Sequence, residues 1–503
     1  MLPHGIKRVD YIQPPTSAEA LTVSNQARVS DGPALGQRAK RELGGLQSVL
    51  LVAALSAAGL AHAQTVAAPA SAADNSLTWH GVTLYGTIDI GLQYESHGAP
   101  FSDYYTPAST NIVQKDSRES VFGATGSNVA QSKIGLRGLE PIAGDWSGVF
   151  ALETWFNPQA GELSNSLKSL VVNNGLTPGQ QTTNNDGSSA GQAFQIASAG
   201  VSSKTFGTLT FGRQVTLVGD GINTYDPNLA APAFSLVGAS GAYAGAGSTE
   251  DKRLDSTLKY VLRYADTVHF GALFKFNNSN GSTGGTAYQA NIGGHYAGLS
   301  VDAYYSQVYD AVSACPLSAT QVAELPKLGF SPSNSLSATI SDNTTFAVMA
   351  SYKVDPVPVK FYVGYEHIQY ANPTTDVAAG SSSLGGYTLA FVNNAAYAND
   401  KKLDVYWAGA RYTVLPGLDV TAAYYGYRQN AYGSGKEAGC STNAYSVCSG
   451  TFQAFSLDAD YRFTKRFDVY AGFMYSGVSS GLANGYLYDT TNINPTIGAR
   501  YSF

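Results

Sequence analysis

Basic side chains recur four residues apart, at Lys133 and Arg137 and again at Lys259 and Arg263, with Arg253 just ahead of the second pair. In an extended chain successive side chains alternate between faces, so residues four apart share one face. Ile134 and Leu136 alternate with the first pair, and Leu258, Tyr260 and Leu262 with the second. Each stretch therefore presents fixed positive charge on one side and hydrocarbon on the other. Between them a glycine-rich segment, residues 215–251, carries Asp220, Asp226, Glu250 and Asp251. The chemistry open to such residues is electrostatic: fixed charges bias passing ions by sign and orient dipolar solutes without holding them tightly. Unit charges ~8 Å apart interact by only ~0.5 kcal/mol in water, but by about 2 kcal/mol at an effective dielectric of 20. The plain alternative is that these are ordinary solvated charges.

Catalytic and cofactor chemistry finds little support. Past the N-terminal region, His80, His97, His269, His295 and His367 are dispersed, with no serine or carboxylate motif beside them. No metal site is expected, because no histidine is spaced with the cysteines as zinc requires. Cys440 and Cys448 lie eight apart in a Gly/Ser/Asn-rich loop and could close a small ring, which leaves Cys315 over as a candidate free thiol. Residues 241–247, GAYAGAG, lack the strand–turn–helix setting of a nucleotide loop. No cofactor is expected. With 30 basic against 36 acidic residues, the chain has no footprint for nucleic acid. A barrel enzyme such as an outer-membrane lipase or protease is the catalytic alternative.

The elements that must carry these residues repeat with period two. Residues 81–95, GVTLYGTIDIGLQYE, place Val82, Leu84, Ile88, Ile90, Leu92 and Tyr94 on one face and Thr83, Tyr85, Thr87, Asp89, Gln93 and Glu95 on the other. Residues 417–428 and 465–477 behave alike. Short connections alternate along the chain with long ones rich in Gly, Ser, Asn and Thr, near 97–131, 157–192, 214–255, 309–341, 371–400, 430–450 and 478–491, with a shorter one at 277–285. That pattern predicts eight hairpins, hence sixteen strands of about 8–15 residues, where a membrane-crossing strand needs ~9–11. Charged residues are only 13% of the chain, aromatics are 12% and mean hydropathy is −0.10, which fits strands apolar on one side only. A sheet in lipid cannot keep an unpaired edge, so it must close; sixteen strands enclose water rather than a side-chain core. The predicted fold is all-β, a 16-stranded antiparallel transmembrane β-barrel with short periplasmic turns, long extracellular loops and acidic residues on its third loop. A soluble sandwich or propeller would share the alternation.

Residues 40–63, KRELGGLQSVLLVAALSAAGLAHA, have the basic start, apolar run and small-x-small end of a Sec signal peptide. Residues 1–39 then read as an extension or an over-called start, and residues 64–503 as the exported barrel. No stretch beyond Ala63 offers the ~20 consecutive apolar residues of a membrane-spanning helix. The last strand ends the chain on Phe503, with Ile497, Ala499 and Tyr501 on the same face, and resembles an outer-membrane assembly signal.

Residues 84–94 (LYGTIDIGLQY), 132–142 (SKIGLRGLEPI), 200–214 (GVSSKTFGTLTFGRQ) and 497–503 (IGARYSF) resemble the general porins of Gram-negative outer membranes, in particular the trimeric sixteen-stranded beta-proteobacterial type. The resemblance implies passive diffusion of ions and small hydrophilic solutes, a homotrimer in contact with outer-membrane lipid and lipopolysaccharide, and a third loop folded into the lumen as a constriction. It places Lys133 and Arg253 at the eyelet and sets Gln195 where the family has a third base. Arg137, Lys259 and Arg263 line the same wall by parity. Asp220 and Asp226 would face them from the loop. Arg213 falls on the outward parity of Leu209 and Phe211 and is assigned to the junction of strand and loop. Two other roles fit the same barrel: a substrate-specific channel, and an adhesin or structural barrel with a closed lumen.

Overall fold

Alternation sorts the side chains of the first strand, β1 (Val82–Gly98): Leu84, Ile88, Ile90 and Leu92 are exposed on one side, while Asp89, Gln93 and Glu95 are buried on the other. The computed structural model describes residues 77–105, 119–183, 193–237, 253–264, 267–277, 285–381, 383–434, 447–483 and 489–503. Cys440, Glu250, Asp251, the leader-like segment 40–63 and residues 1–39 lie outside them. The wall continues through β2 (Glu119–Gly126 and Lys133–Ala143), β3 (Trp146–Asn157), β4 (Ile196–Ser203), β5 (Gly207–Val215), β6 (Arg253–Tyr264), β7 (Val268–Lys275) and β8 (Ala287–Tyr296). It is completed by β9 (Leu299–Cys315), β10 (Ser335–Val354), β11 (Val359–Ala371), β12 (Lys401–Leu415), β13 (Leu418–Gln429), β14 (Gly450–Arg462), β15 (Phe467–Ser480) and β16 (Thr491–Ile493 and Thr496–Ser502).

Each strand pairs antiparallel with the next. The ring closes where β16 runs antiparallel to β1, from Thr87 opposite Ser502 to Gln93 opposite Thr496. Sixteen strands thus form one barrel without a lone edge, the arrangement that satisfies backbone groups in lipid. The outer face is apolar: Phe346, Val348, Phe361, Val363, Phe455 and Tyr475 are exposed. A soluble protein would bury such a band, whereas a membrane barrel turns it to hydrocarbon.

The two rims differ. One carries tight turns at 144–145, 204–206, 297–298, 355–358, 416–417 and 463–466. Gly298 and Gly417 adopt left-handed backbone there, at φ 82° and 93°, which glycine enters without steric cost. The other rim carries long loops whose described residues include three short helices, α1 (Ser166–Val171), α2 (Leu217–Tyr225) and α3 (Ala319–Leu328).

Two loop boundaries expected from composition shift. Glu119–Gly126 falls inside the segment read as loop, yet it pairs with Ile90–Gly98. The break after it is held by Asp89, which accepts from the amides of Val129 (2.7 Å) and Ala130 (2.8 Å). The ends of β9 and β10 also run beyond the predicted boundaries, to 17 and 20 residues. Small residues such as Ala314, Ser337 and Ala338 disguise them as loop, and tertiary packing overrides that signal.

Candidate functional site

The third long loop, between β5 and β6, is described as far as Val237. Thr216 caps α2 by accepting from the Gly219 amide at 3.0 Å. The helix buries Leu217, Val218 and Ile222 in one cluster with Leu273 of β7, Tyr304 of β9 and Met349 of β10. Its approach to the wall needs a glycine: a Cβ on Gly221 would meet the Tyr304 ring at 2.6 Å and the Met349 sulfur at 2.9 Å. Beyond the helix the loop stays on the wall. The Trp407 indole of β12 donates to the Tyr225 carbonyl at 2.9 Å, and Arg411 donates to the Pro227 carbonyl at 2.8 Å. Asn228 reaches Ser456 of β14 at 3.0 Å, and Phe234 meets the edge of the Tyr470 ring of β15. The Ala233 amide donates to the Asn128 carbonyl, in the break of β2, at 2.8 Å.

These contacts lie inside the barrel. Tyr425, Tyr470 and Met474 are buried beneath the loop, while their strand neighbours Tyr424 and Tyr475 are exposed on the outer face. Loop 3 thus narrows the lumen by lying along the inner face from β7 round to β2. Tyr304, Tyr425 and Tyr427 pack in this cluster; Tyr305 and Tyr424 sit in outward aromatic pairs with Phe346 and Tyr406.

The inner face from β1 to β6 carries the basic residues that the sequence singles out, while other inward charges pair elsewhere on the wall, as Arg500 does with Asp460 and Asp468. Lys133 of β2 contacts Glu153 of β3 at 3.0 Å. The same carboxylate accepts from Tyr85 of β1 (3.1 Å) and from the Trp155 indole (2.7 Å). The Arg253 guanidinium stacks over the Trp155 ring, 3.7 Å from its centroid. Arg137 lies 5.5 Å from the Tyr85 centroid and is exposed. Lys259 of β6 reaches Asp220 on α2 at 2.5 Å and also donates to the Val215 carbonyl at 2.8 Å. Arg263 is exposed near the opposite end of β6, in register with His269.

Two of the singled-out residues, Asp226 and Arg213, are placed elsewhere. Asp226 is fully buried; it accepts from the Tyr425 hydroxyl at 2.7 Å and the Ala230 amide at 2.7 Å, and burial pushes its carboxyl up. It anchors loop 3 to the wall and does not meet Lys133 or Lys259. Arg213 pairs in register with Ala197, which in turn pairs with the exposed Leu152, so it stays on the outward row. There its guanidinium binds Asp255 at 2.6 Å and donates to Gln195 at 3.3 Å, clasping the ends of β4, β5 and β6. Glu153, Trp155, Tyr85 and Asp255 complete the charge pattern without having been singled out. The signal for Glu153 and Trp155 was available, because they alternate with Leu152 on β3.

At the seam, Phe503 exchanges backbone hydrogen bonds with Gly86, at 3.0 and 3.1 Å. A Cβ on Gly86 would strike the Phe503 ring at 2.5 Å. Cys448 is buried and disulfide-bonded.

A closed barrel with an apolar belt, a charged inner wall and a loop folded into its lumen is a transmembrane channel of the outer-membrane kind. The chain belongs to the Gram-negative porin family, whose model matches residues 49–481. It is an outer-membrane channel for passive diffusion of solutes. No curated protein matches the sequence. Among solved structures it is similar to an anion-selective porin from Comamonas acidovorans, with 15% identity over 84% of this chain and 99% of that one and a TM-score of 0.54. It is also similar to OmpT, an outer membrane protein of Vibrio cholerae, with 16% identity over 85% and 100% of the chains and a TM-score of 0.49. OmpF of Salmonella typhi, solved with daunomycin, gives 16% identity over 84% and 97% and a TM-score of 0.48.

Proposed function

We propose that the chain is a general porin of weak charge selectivity, passing ions and small hydrophilic solutes and carrying out no catalysis. The observation that supports this is the pairing of wall bases with acids at contact distance, Lys133 with Glu153 and Lys259 with Asp220. An opposite charge at ~3 Å converts a point charge into a dipole, whose field falls off faster across the lumen than a lone charge's would. The relative from Comamonas is anion-selective by its name; here the paired bases argue for a milder preference. In this reading residues 40–63 are removed on export, the short turns face the periplasm, and the barrel works as a homotrimer in lipid and lipopolysaccharide. Its Cys440 and Cys448 form the loop disulfide, and Phe503 serves assembly.

Planar-bilayer recording tests the reading. Stepwise conductance, in triplets for a trimer, with a reversal potential near zero in a salt gradient is the expected result. Folded protein that gives no conductance overturns it. Saturable block by one solute class marks a substrate-specific channel instead.

A further inference from the structure

The long-loop rim holds a second contact across the barrel, made by residues far apart around the ring. Loop 2 leaves β3 and at once turns back on it: the Ser164 amide donates to the Trp155 carbonyl at 3.0 Å. Helix α1 therefore starts above the end of β3. It nevertheless buries Leu167, Leu170 and Val171 against Ala314, at the end of β9, and against Leu336, Ala338 and Ile340, at the start of β10. In ring order, β9 lies six strands from β3. At ~4.8 Å per strand the wall between them is at least ~29 Å long.

The β9–β10 ends reach α1 because they bend. Their register shifts between Val308 and Ala311, and Asp310 takes left-handed backbone at φ 52°. Such bulges kink a strand and re-aim the residues beyond the kink. The added strand Tyr387–Asn393, from the loop between β11 and β12, pairs parallel to Ser335–Thr339 and stiffens the arm. Polar contacts fix the junction. Asn174 donates to the carbonyls of Pro332 (2.7 Å) and Ser335 (2.8 Å) and accepts from the Leu317 amide (2.7 Å), while Asn165 donates to Tyr387 at 3.0 Å. Loop 1, between β1 and β2, joins the same assembly, since the Asn165 amide donates to the Tyr104 carbonyl at 2.8 Å and the Thr183 amide to the Pro100 carbonyl at 2.9 Å. Elements from opposite sides of the mouth are thus fastened over it by an apolar core in which Leu167, Leu336, Ile340 and Leu389 are 0% exposed.

We propose that this roof, loop 2 docked on the bent β9–β10 arm, is a size filter separate from loop 3, setting the largest hydrophilic solute the channel admits. The proposal rests on the barrel being an open channel. It separates two jobs: loop 3 and the wall facing it act on charge, and the roof acts on size. A steric filter acts alike in both directions, so barrel orientation in a vesicle does not matter.

Liposome swelling with neutral sugars, from a pentose up to a tetrasaccharide, tests the proposal. Two variants open the roof: Leu167→Asp with Leu170→Asp, which puts charge into the apolar core, and replacement of residues 166–182 by a short Gly/Ser linker, which removes α1 without touching a wall strand. Both are assayed as folded, heat-modifiable protein. The expected result is a several-fold rise in swelling for the tetrasaccharide, with the pentose rate nearly unchanged. If a folded variant of either kind keeps the wild-type ratio of tetrasaccharide to pentose, the roof is no filter. If wild-type protein fails to admit even the pentose, the channel reading itself falls, a result distinct from an unchanged ratio.

Discussion

The inner wall of this barrel carries charge all round, since Arg411 lies on β12 and Arg500 pairs with Asp460 and Asp468, yet two halves with the same alternation differ in what their other inward residues meet. From β7 to β15 the inward positions include Leu273, Tyr304, Met349, Trp407, Tyr425 and Met474, all buried beneath loop 3. From β1 to β6 they include Tyr85, Lys133, Glu153 and Lys259, which are joined to one another or to Asp220 by ion pairs and a hydrogen bond. In the first half these residues work as a conventional core, stabilised by removing apolar surface from water. In the second the named residues meet opposite charge instead, Lys133 on Glu153 and Lys259 on Asp220. Inward is therefore not one environment: one side packs against loop 3, and the other holds the paired charges that we propose act as the filter.

The first way to break this comparison is to attack the core half. Trp407→Ala removes a ring that is 1% exposed and the indole donor to the Tyr225 carbonyl. Buried Trp-to-Ala changes cost about 3–5 kcal/mol. The heat-modification midpoint should fall and open-channel noise should rise as loop 3 loosens. Lys133→Ala should leave the midpoint nearly unchanged; an equal fall in both would show that the halves are not energetically distinct.

Next comes the seam between the halves, where β16 meets β1. Gly86→Leu would drive a side chain into the Phe503 ring, and deleting Phe503 removes the last backbone pairing. Both should lower the yield of folded barrel in the outer membrane, measured by heat-modifiable band intensity. Wild-type yield from the deletion would show that the terminal residue has no part in assembly.

A smaller effect is expected on selectivity. Asp220→Asn removes the partner of Lys259, so the reversal potential should move toward anions. Lys133→Glu with Arg253→Glu should move it toward cations, with little change in pore size. Both shifts should grow as salt falls, because the Debye length rises from ~10 Å at 0.1 M to ~30 Å at 0.01 M. A potential that stays put in both variants would remove these residues from the filter.

The least effect on transport is expected at the cysteines. Alkylation of denatured, unreduced protein should add one label, at Cys315, because Cys448 is disulfide-bonded. Three labels would exclude the ring with Cys440.

The sequence by itself determined the wall. Period-two alternation in β1, β13 and β15 set which residues face out, and the rhythm of short and long connections set the strand number, because a sheet in lipid must close. It placed Lys133 and Lys259 on the inward row, and the apolar residues alternating with them on the outward row. Tertiary structure alone decided what each inward residue meets. Asp220 and Asp226 are six positions apart on one loop, yet one reaches Lys259 and the other is buried against Tyr425. Nothing local to either residue separates them, since the path of loop 3 depends on contacts with strands more than a hundred residues away. The same holds for the roof. Leu167 and Leu170 read as apolar residues in a polar loop until β9 and β10 bend over the mouth to cover them.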